Sequence, residues 1–420
     1  MKYSGLVVLL TLAVGACRLG ETTPGGAPER SRLVRREPIV RIGLKVDTTA
    51  IKVRSASALE IADRAGNIVA RGGPSEQWTF TSDAPSRING AGSAGGSFTS
   101  EVVPLTVRAG GGFINVGDRD YRGDLILRTA GAGRLTAVNT LELEQYLLGV
   151  VPFEIGRLKS SEIEAVKAQA VAARTYAIGN QGSREALGFD FFATVADQVY
   201  GGTSGEDSVA SRAVRETRGE IITHAGQPII AYYSSTCGGH TADANESWPW
   251  RAPQPYLRGR QDTDANGEAY CKTSNRFRWS VSWSGDSLRT VLQQTLGQRF
   301  RNPAFRIARV DDVRVTGTSR SGRAEAVEIT ADGTVHRVPA DSIRWVLRPT
   351  VAGSLNSSFI QDMKATQKNG EVTRLEVHGG GWGHGVGMCQ VGAIGRARAG
   401  QSYRQIVDAY YSDTELLRLY

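Results

Sequence analysis

Glu154 ends the apolar run of GVVPFEIG, with Leu147, Leu148, Val150, Val151 and Phe153 just before it. A carboxylate beside that much hydrocarbon is costly unless it is paired or put to use. Apolar neighbours disfavour the charged form and raise the pKa, which suits a group that gives and takes a proton near neutrality. Val151, Phe153 and Ile155 are the residues expected to provide that environment. His378 and His384 stand in HGGGWGHGVG, where glycines let backbone approach a ligand closely. Tyr232 and Tyr233 precede SSTCGGHT, and in a strand only one of the two can face a cleft. Cys237 and His240 make a C-x-x-H pair with Cys271 downstream. Three such ligands could hold zinc if a fourth joined them. In an exported protein a Cys237–Cys271 disulfide is the expected alternative, leaving Cys389 as a buried free thiol.

Other familiar chemistries are excluded. No histidine begins H-E-x-x-H, there is no G-x-S-x-G elbow, and GGGWGHGVG fits neither G-x-G-x-x-G nor a P-loop. The formal charge of +8 suits an acidic polymer or anionic surface, but no zinc-finger spacing, aromatic RNA-binding signature or dense basic helix points to nucleic acid.

The elements that must position these residues follow from patterning. MKYSGLVVLLTLAVGAC carries Lys2, an apolar stretch over Leu6 to Val14 and then small residues, as a secretory signal does. VGAC resembles a bacterial lipobox, which implies cleavage after residue 16 and acylation of Cys17. Residues 17–38 read as a flexible tether. The protein is thus expected outside the cytoplasm, held to a membrane by lipid. Residues 39–140 alternate with period two and form a strand-rich region, with a loop by composition over 88–100. Residues 141–420 mix helices and strands, with an accessory β insertion at about 300–345. The clearest helix is SSEIEAVKAQAVAARTYAIGN. It opens on Ser161 and Glu164 spaced as a capping box, buries a stripe of Ile163, Val166, Ala170 and Ala177, and stops at Gly179 and Asn180. Further helices are expected over Ser208–Thr217, in DSLRTVLQQTLG and near Tyr403–Tyr411. Strand runs with separate helices make the class α+β.

LEQYLLGVVPFEIGRLKSSEIEAVKAQAVAARTYA, AYYSSTCGGHTADANESW and HGGGWGHGVGMCQVGA together resemble the stage II sporulation protein D (SpoIID) family, which includes the amidase-enhancer LytB proteins, over about Ile42 to Tyr411. The resemblance implies a catalytic core of the SpoIID type and a lytic transglycosylase. Such an enzyme cuts peptidoglycan between N-acetylmuramic acid and N-acetylglucosamine and leaves 1,6-anhydro ends, favouring strands stripped of stem peptides. It makes Glu154 the acid/base and places Lys167, Arg174, one of Tyr232 and Tyr233, and the loop of His378 and His384 along a glycan groove. Its partners would be glycan strands and a cell-wall amidase. Some members carry a zinc site before a Q-x-Y segment; here FFATVADQVYGG has no Cys or His, so no metal or cofactor is expected there or elsewhere. Two other readings stay open: a non-catalytic wall-binding module that stimulates an amidase, and a zinc hydrolase built on Cys237, His240 and Cys271.

Overall fold

The computed structural model describes residues 36–131 and 133–420. The expected signal peptide (1–16), the acylated Cys17 and the tether up to residue 35 lie outside them. The tether's last residues are docked rather than loose. Glu37 accepts the backbone N–H of Glu144 at 2.7 Å and pairs with Arg218 at 2.5 Å. No helix among the described residues is long and apolar enough to cross a membrane.

The strand-rich region is built as expected. A seven-stranded sheet runs Phe191–Phe192, Ile39–Thr48, Leu135–Glu142, Asp124–Thr129, Leu105–Ala109, Leu59–Ala62, Ile68–Gly72 from edge to edge. A six-stranded sheet runs Arg119–Tyr121, Ile114–Val116, Ala50–Arg54, Trp78–Ala84, Arg87–Gly92, Ser97–Ser100. Alternation sets which face is buried: Ile51 and Val53 go to the core while Ala50, Lys52 and Arg54 stay outside. The expected loop over 88–100 is a hairpin instead, pairing Ile88 with Ser100 and Gly90 with Phe98. Its composition is that of a loop, but Phe98 packs on Trp78 and Phe80, and that burial outweighs propensity.

Leu135–Glu142 runs directly into two short helices, α1 (Leu143–Leu148) and α2 (Val151–Ile155), and then into the long α3 (Ile163–Asn180). The Ser161 cap does not form. A single 3-10 turn over Ser160–Glu162 leads in, Glu162 accepts the Lys159 N–H at 3.0 Å, and Glu164 bonds Lys167 and the Tyr403 N–H instead. Helix α3 is buried on more than one stripe, from Ala165 through Ala177, because alanine lets neighbours close in on every side. Around it stand α4 (Ser208–Glu216), the strand Glu220–His224, and two C-terminal helices described below.

After the short α5 (Ala244–Ser247), residues 278–377 build a second hydrophobic core. There α6 (Gly285–Arg299) and α7 (Ile343–Val346) pack with two three-stranded sheets. This region extends beyond 300–345, since Arg278–Ser284 pairs with Glu371–Gly380 and closes it at both ends. The chain then returns to the first core as α8 (Gln390–Arg398) and α9 (Tyr403–Tyr410). The α8 helix was not legible, since Gly392 and Gly395 lower its propensity. A two-residue parallel pairing, Tyr233 with Met388 and Ser234 with Cys389, joins the tyrosine motif to the glycine-rich motif.

Candidate active site

The GVVPFEIG stretch folds as a turn and a five-residue helix. Gly149 ends α1, Pro152 sits in the first turn of α2, and Gly156, at φ +84°, ends it. A side chain at Gly149 would meet the Gly202 carbonyl oxygen and the Tyr200 ring, both at 2.6 Å, so only glycine brings these segments together. That approach sets Glu154 beside the segment that follows Gln198. Val199 N–H donates to Glu154 Oε1 at 2.7 Å, and Gln390 Nε2 donates to Oε2 at 3.4 Å. Gln390 is itself held by Gln169 Oε1 at 3.3 Å.

Burial raises the Glu154 pKa from its ordinary 4.5 to about 7, against the partial opposition of the Val199 and Gln390 donors. Glu154 forms no salt bridge among the described residues. The apolar neighbours are not those adjacent in sequence. Phe153 is 38% exposed and its ring lies over Gly201 and Gly205, while Val151 and Ile155 face the core. Tyr146 and Tyr233 approach the carboxyl from other elements; burial first, and then the Glu154 charge, push both hydroxyls well above their usual range.

Glu154 opens into a cleft of about 430 Å³. Its wall is aromatic: Tyr176, Tyr232, Tyr233 and Trp248 from the core, Trp345 from the inserted region and Trp382 from the glycine-rich motif. Both tyrosines line it, because the strand is only Tyr233–Ser234 and Tyr232 precedes it in irregular backbone, where alternation does not apply. The Tyr233 hydroxyl accepts from Gln198 at 2.9 Å. The His384 ring lies tilted against Trp248, centroids 4.9 Å apart, and edge-on to Tyr232, 5.9 Å. Burial lowers its pKa to about 4, so it is neutral at pH 7. Its Nδ1 accepts the Val386 N–H at 3.1 Å, which leaves the proton on Nε2. A second carboxylate, Asp197, also lines the cleft, but Arg184 at 3.2 Å and the Phe192 N–H at 2.9 Å hold it. A larger hollow of about 570 Å³ beside α6 has no carboxylate, histidine or cysteine in its lining.

Three expected groove residues lie elsewhere. Arg174 is fully buried, with Nε and Nη2 each 2.7 Å from the Glu144 carboxylate, and so cannot touch a ligand. Lys167 bridges Glu164 and Glu216 at 2.9 and 2.8 Å, on a part of α3 away from the cleft. His378 is on the strand Glu371–Gly380, exposed, opposite Ser280 and Asp362. The expected disulfide is also replaced. Cys237 and Cys271 are separate buried thiols with sulfurs 3.6 Å apart, and Cys389 lies with them. His240 turns its Nδ1 to the Thr241 carbonyl at 2.6 Å, away from that cluster. Trp248, Trp345, Trp382 and Gln390 also belong to the site; Trp248 ends the stretch AYYSSTCGGHTADANESW, Trp382 and Gln390 lie in HGGGWGHGVGMCQVGA, and no motif marks Trp345.

A family model described as stage II sporulation protein (SpoIID) matches residues 131–224, which carry Glu154, Gln198 and Val199. Another, a domain of unknown function (DUF8618), matches residues 260–387, which carry the inserted region and His384. The chain is 32% identical over 301 residues to the amidase enhancer of Bacillus subtilis (strain 168), covering 64% of this chain and 40% of that protein's length. It is 31% identical over 284 residues to an uncharacterized protein of Brachyspira hyodysenteriae, covering 67% and 68%. It is 30% identical over 299 residues to stage II sporulation protein D of Bacillus amyloliquefaciens, covering 67% of this chain and 75% of the relative. The chain belongs to the stage II sporulation protein D family.

Proposed function

We propose that the protein acts on the cell wall as a lytic transglycosylase, cleaving peptidoglycan glycan strands with Glu154 as its acid/base. The observation that carries this reading is the contrast between the two carboxyls of the cleft. Asp197 is tied to a guanidinium and a backbone N–H, whereas Glu154 is desolvated without a cation and is half protonated near pH 7. Hydrolytic glycosidases usually need two working carboxyls. A transglycosylase needs one, because the sugar supplies its own nucleophile. Glu154 gives its proton to the glycosidic oxygen as the bond from C1 breaks. The resulting carboxylate then takes the proton of the 6-hydroxyl as O6 bonds to C1, which closes the anhydro ring and restores the acid. The aromatic wall offers faces for sugar C–H groups and hydroxyls for their polar edges. Acylation of Cys17, an extracytoplasmic location and an affinity of the +8 chain for anionic wall are parts of the same proposal.

The similarity to a protein named amidase enhancer favours one second reading, a module that binds wall polymer and stimulates a partner amidase. Digestion of denuded glycan followed by mass analysis separates the two. The enzyme yields anhydro ends, and Glu154→Gln lowers their rate by about 10²–10⁴-fold while glycan binding persists. Undiminished anhydro product from that variant overturns the assignment, and binding without product from the wild type selects the module.

A further inference from the structure

Behind the cleft, three thiols and a carboxylate converge in the core. Cys237, Asp262, Cys271 and Cys389 are all buried, and one ligand atom from each lies within 4.8 Å of the others. The sulfurs of Cys237 and Cys271 are 3.6 Å apart, and Cys237 Sγ is 3.3 Å from Asp262 Oδ2. Tetrahedral zinc, with Zn–S of about 2.3 Å and Zn–O of about 2.1 Å, separates its ligand atoms by roughly 3.5–3.8 Å. The two measured edges are close to that spacing before any metal draws them in.

The surroundings are those of ligated sulfur. Cys389 Sγ accepts N–H groups from Cys237 at 3.1 Å and Gly392 at 3.2 Å, and Cys237 Sγ accepts one from Gly239 at 3.4 Å. Asp262 is oriented by Arg396 at 3.0 and 2.9 Å and by the Tyr410 hydroxyl at 2.9 Å, as outer partners orient a metal-binding carboxylate. Arg323 is 1% exposed and donates to the carbonyls of Cys237 and His240, both at 3.1 Å. No carboxylate bonds it among the described residues, and its Nε has no partner. A side chain at Gly385 would come within 2.0 Å of this guanidinium, so the glycine-rich motif makes room for it. A buried cation without an anion is expensive. Three thiolates and the Asp262 carboxylate would be balanced by Arg323, Arg396 and one divalent ion.

We propose that Cys237, Asp262, Cys271 and Cys389 form a closed, tetrahedral site for one zinc ion. Four protein ligands leave no open position, so the ion is structural and not hydrolytic. Each thiol that bonds the metal loses its proton to solvent, so loading releases protons and acid reverses it. The site would fasten the cleft wall: Cys389 adjoins Gln390, which contacts Glu154, and Cys237 follows the Tyr233–Ser234 strand. It differs from the C-x-x-H arrangement, since His240 takes no part.

The test measures metal in the full chain, purified without chelator and, once stripped, reloaded with zinc alone. About one zinc per chain is expected, and cobalt(II) in its place should give thiolate charge-transfer absorption. Failure to take up zinc, or a Cys237–Cys271 disulfide found by peptide mapping, overturns the site. Cys389→Ser should lose stoichiometric zinc, whereas a disulfide would not need Cys389; zinc retained at full affinity overturns the proposal. If that variant does not fold, Arg396→Lys, which loosens Asp262, should weaken zinc binding about 10–100-fold, and an unchanged affinity counts against the site. His240→Ala should keep its zinc, and loss there would restore the C-x-x-H ligand set instead. None of these readouts depends on glycan cleavage.

Discussion

Glu144 lies in α1 and Glu154 in α2, on two short helices joined by a tight turn, and both carboxyls are withdrawn from water. Burial alone would push both pKa values up. At Glu144 it is outweighed by Arg174, bonded twice at 2.7 Å, with the Tyr420 hydroxyl at 2.6 Å and the Gly219 N–H at 3.2 Å, so the group is held below its ordinary value. At Glu154 one backbone N–H and one distant amide are too little, and burial prevails. A cation makes one glutamate a structural pin, and its absence leaves the other able to exchange a proton. The pin also has a use: it fixes α1 to α3 and to the strand after α4, and α1 carries the turn that aims Glu154.

The largest contrast is expected from neutralising each carboxylate in turn. Glu144→Gln leaves the Arg174 charge buried without its anion, and should cost about 3–5 kcal/mol in denaturant unfolding. Glu154→Gln removes a desolvated charge that has no counter-ion, so its unfolding free energy at pH 8 should be unchanged or higher even as activity is lost. The comparison breaks if Glu154→Gln proves the more destabilising of the two.

Much of this contrast could not be read along the chain. Glu154 was legible because it interrupts an apolar run of sequence. Phe153, the largest of them, nonetheless turns outward, and Tyr146 and Tyr233 take its place from other elements. The family resemblance set Arg174 along the groove, and nothing along the chain shows which carboxylate waits for it, since Glu144 is 30 residues away. Helices α3, α4, α6 and α9 and most strands of the first two sheets follow from period and turn residues. The 88–100 hairpin and α8 do not, since glycine-rich segments owe their form to what packs on them. Cys389 looked like a leftover thiol because its spatial neighbours lie more than a hundred residues earlier. Trp345 reaches the cleft from the inserted region, a placement only tertiary structure supplies.

Acidity gives the next largest effect, with opposite signs at the two sites. Glu154 has its pKa raised from 4.5 to about 7, so between those values the folded chain keeps a proton that the unfolded chain has lost. Its contribution is full below about pH 4.5 and fades as pH rises to about 7. Part of the side chain reaches solvent, so the difference should be on the order of 1–3 kcal/mol. Glu144, with its pKa depressed, stabilises the fold above its unfolded value and loses that contribution as pH falls. Unfolding curves of wild type and Glu154→Gln from pH 4 to 8 should therefore diverge toward high pH, with the variant gaining. In activity, kcat/KM should decline above about pH 7 as the acid form is depleted. Parallel stability curves would mean that Glu154 titrates like an exposed glutamate.

The smallest effect sharpens the comparison most finely. Gln390 gives Glu154 its only side-chain donor among the described residues, and that donor favours the carboxylate. Gln390→Leu keeps the bulk and removes the donor, so the Glu154 pKa should rise further and carry the alkaline limb of kcat/KM upward by less than about one pH unit. A purely structural role for Gln390 would lower the rate at every pH and leave the limb in place. A limb that moved down would be harder to accommodate, since it would mean that the carboxylate gains a better partner once the amide is gone. Water reaching the carboxylate past the new leucine would be that partner, and Glu154 would then owe part of its high pKa to the exclusion of solvent by Gln390, which Gln169 holds in place.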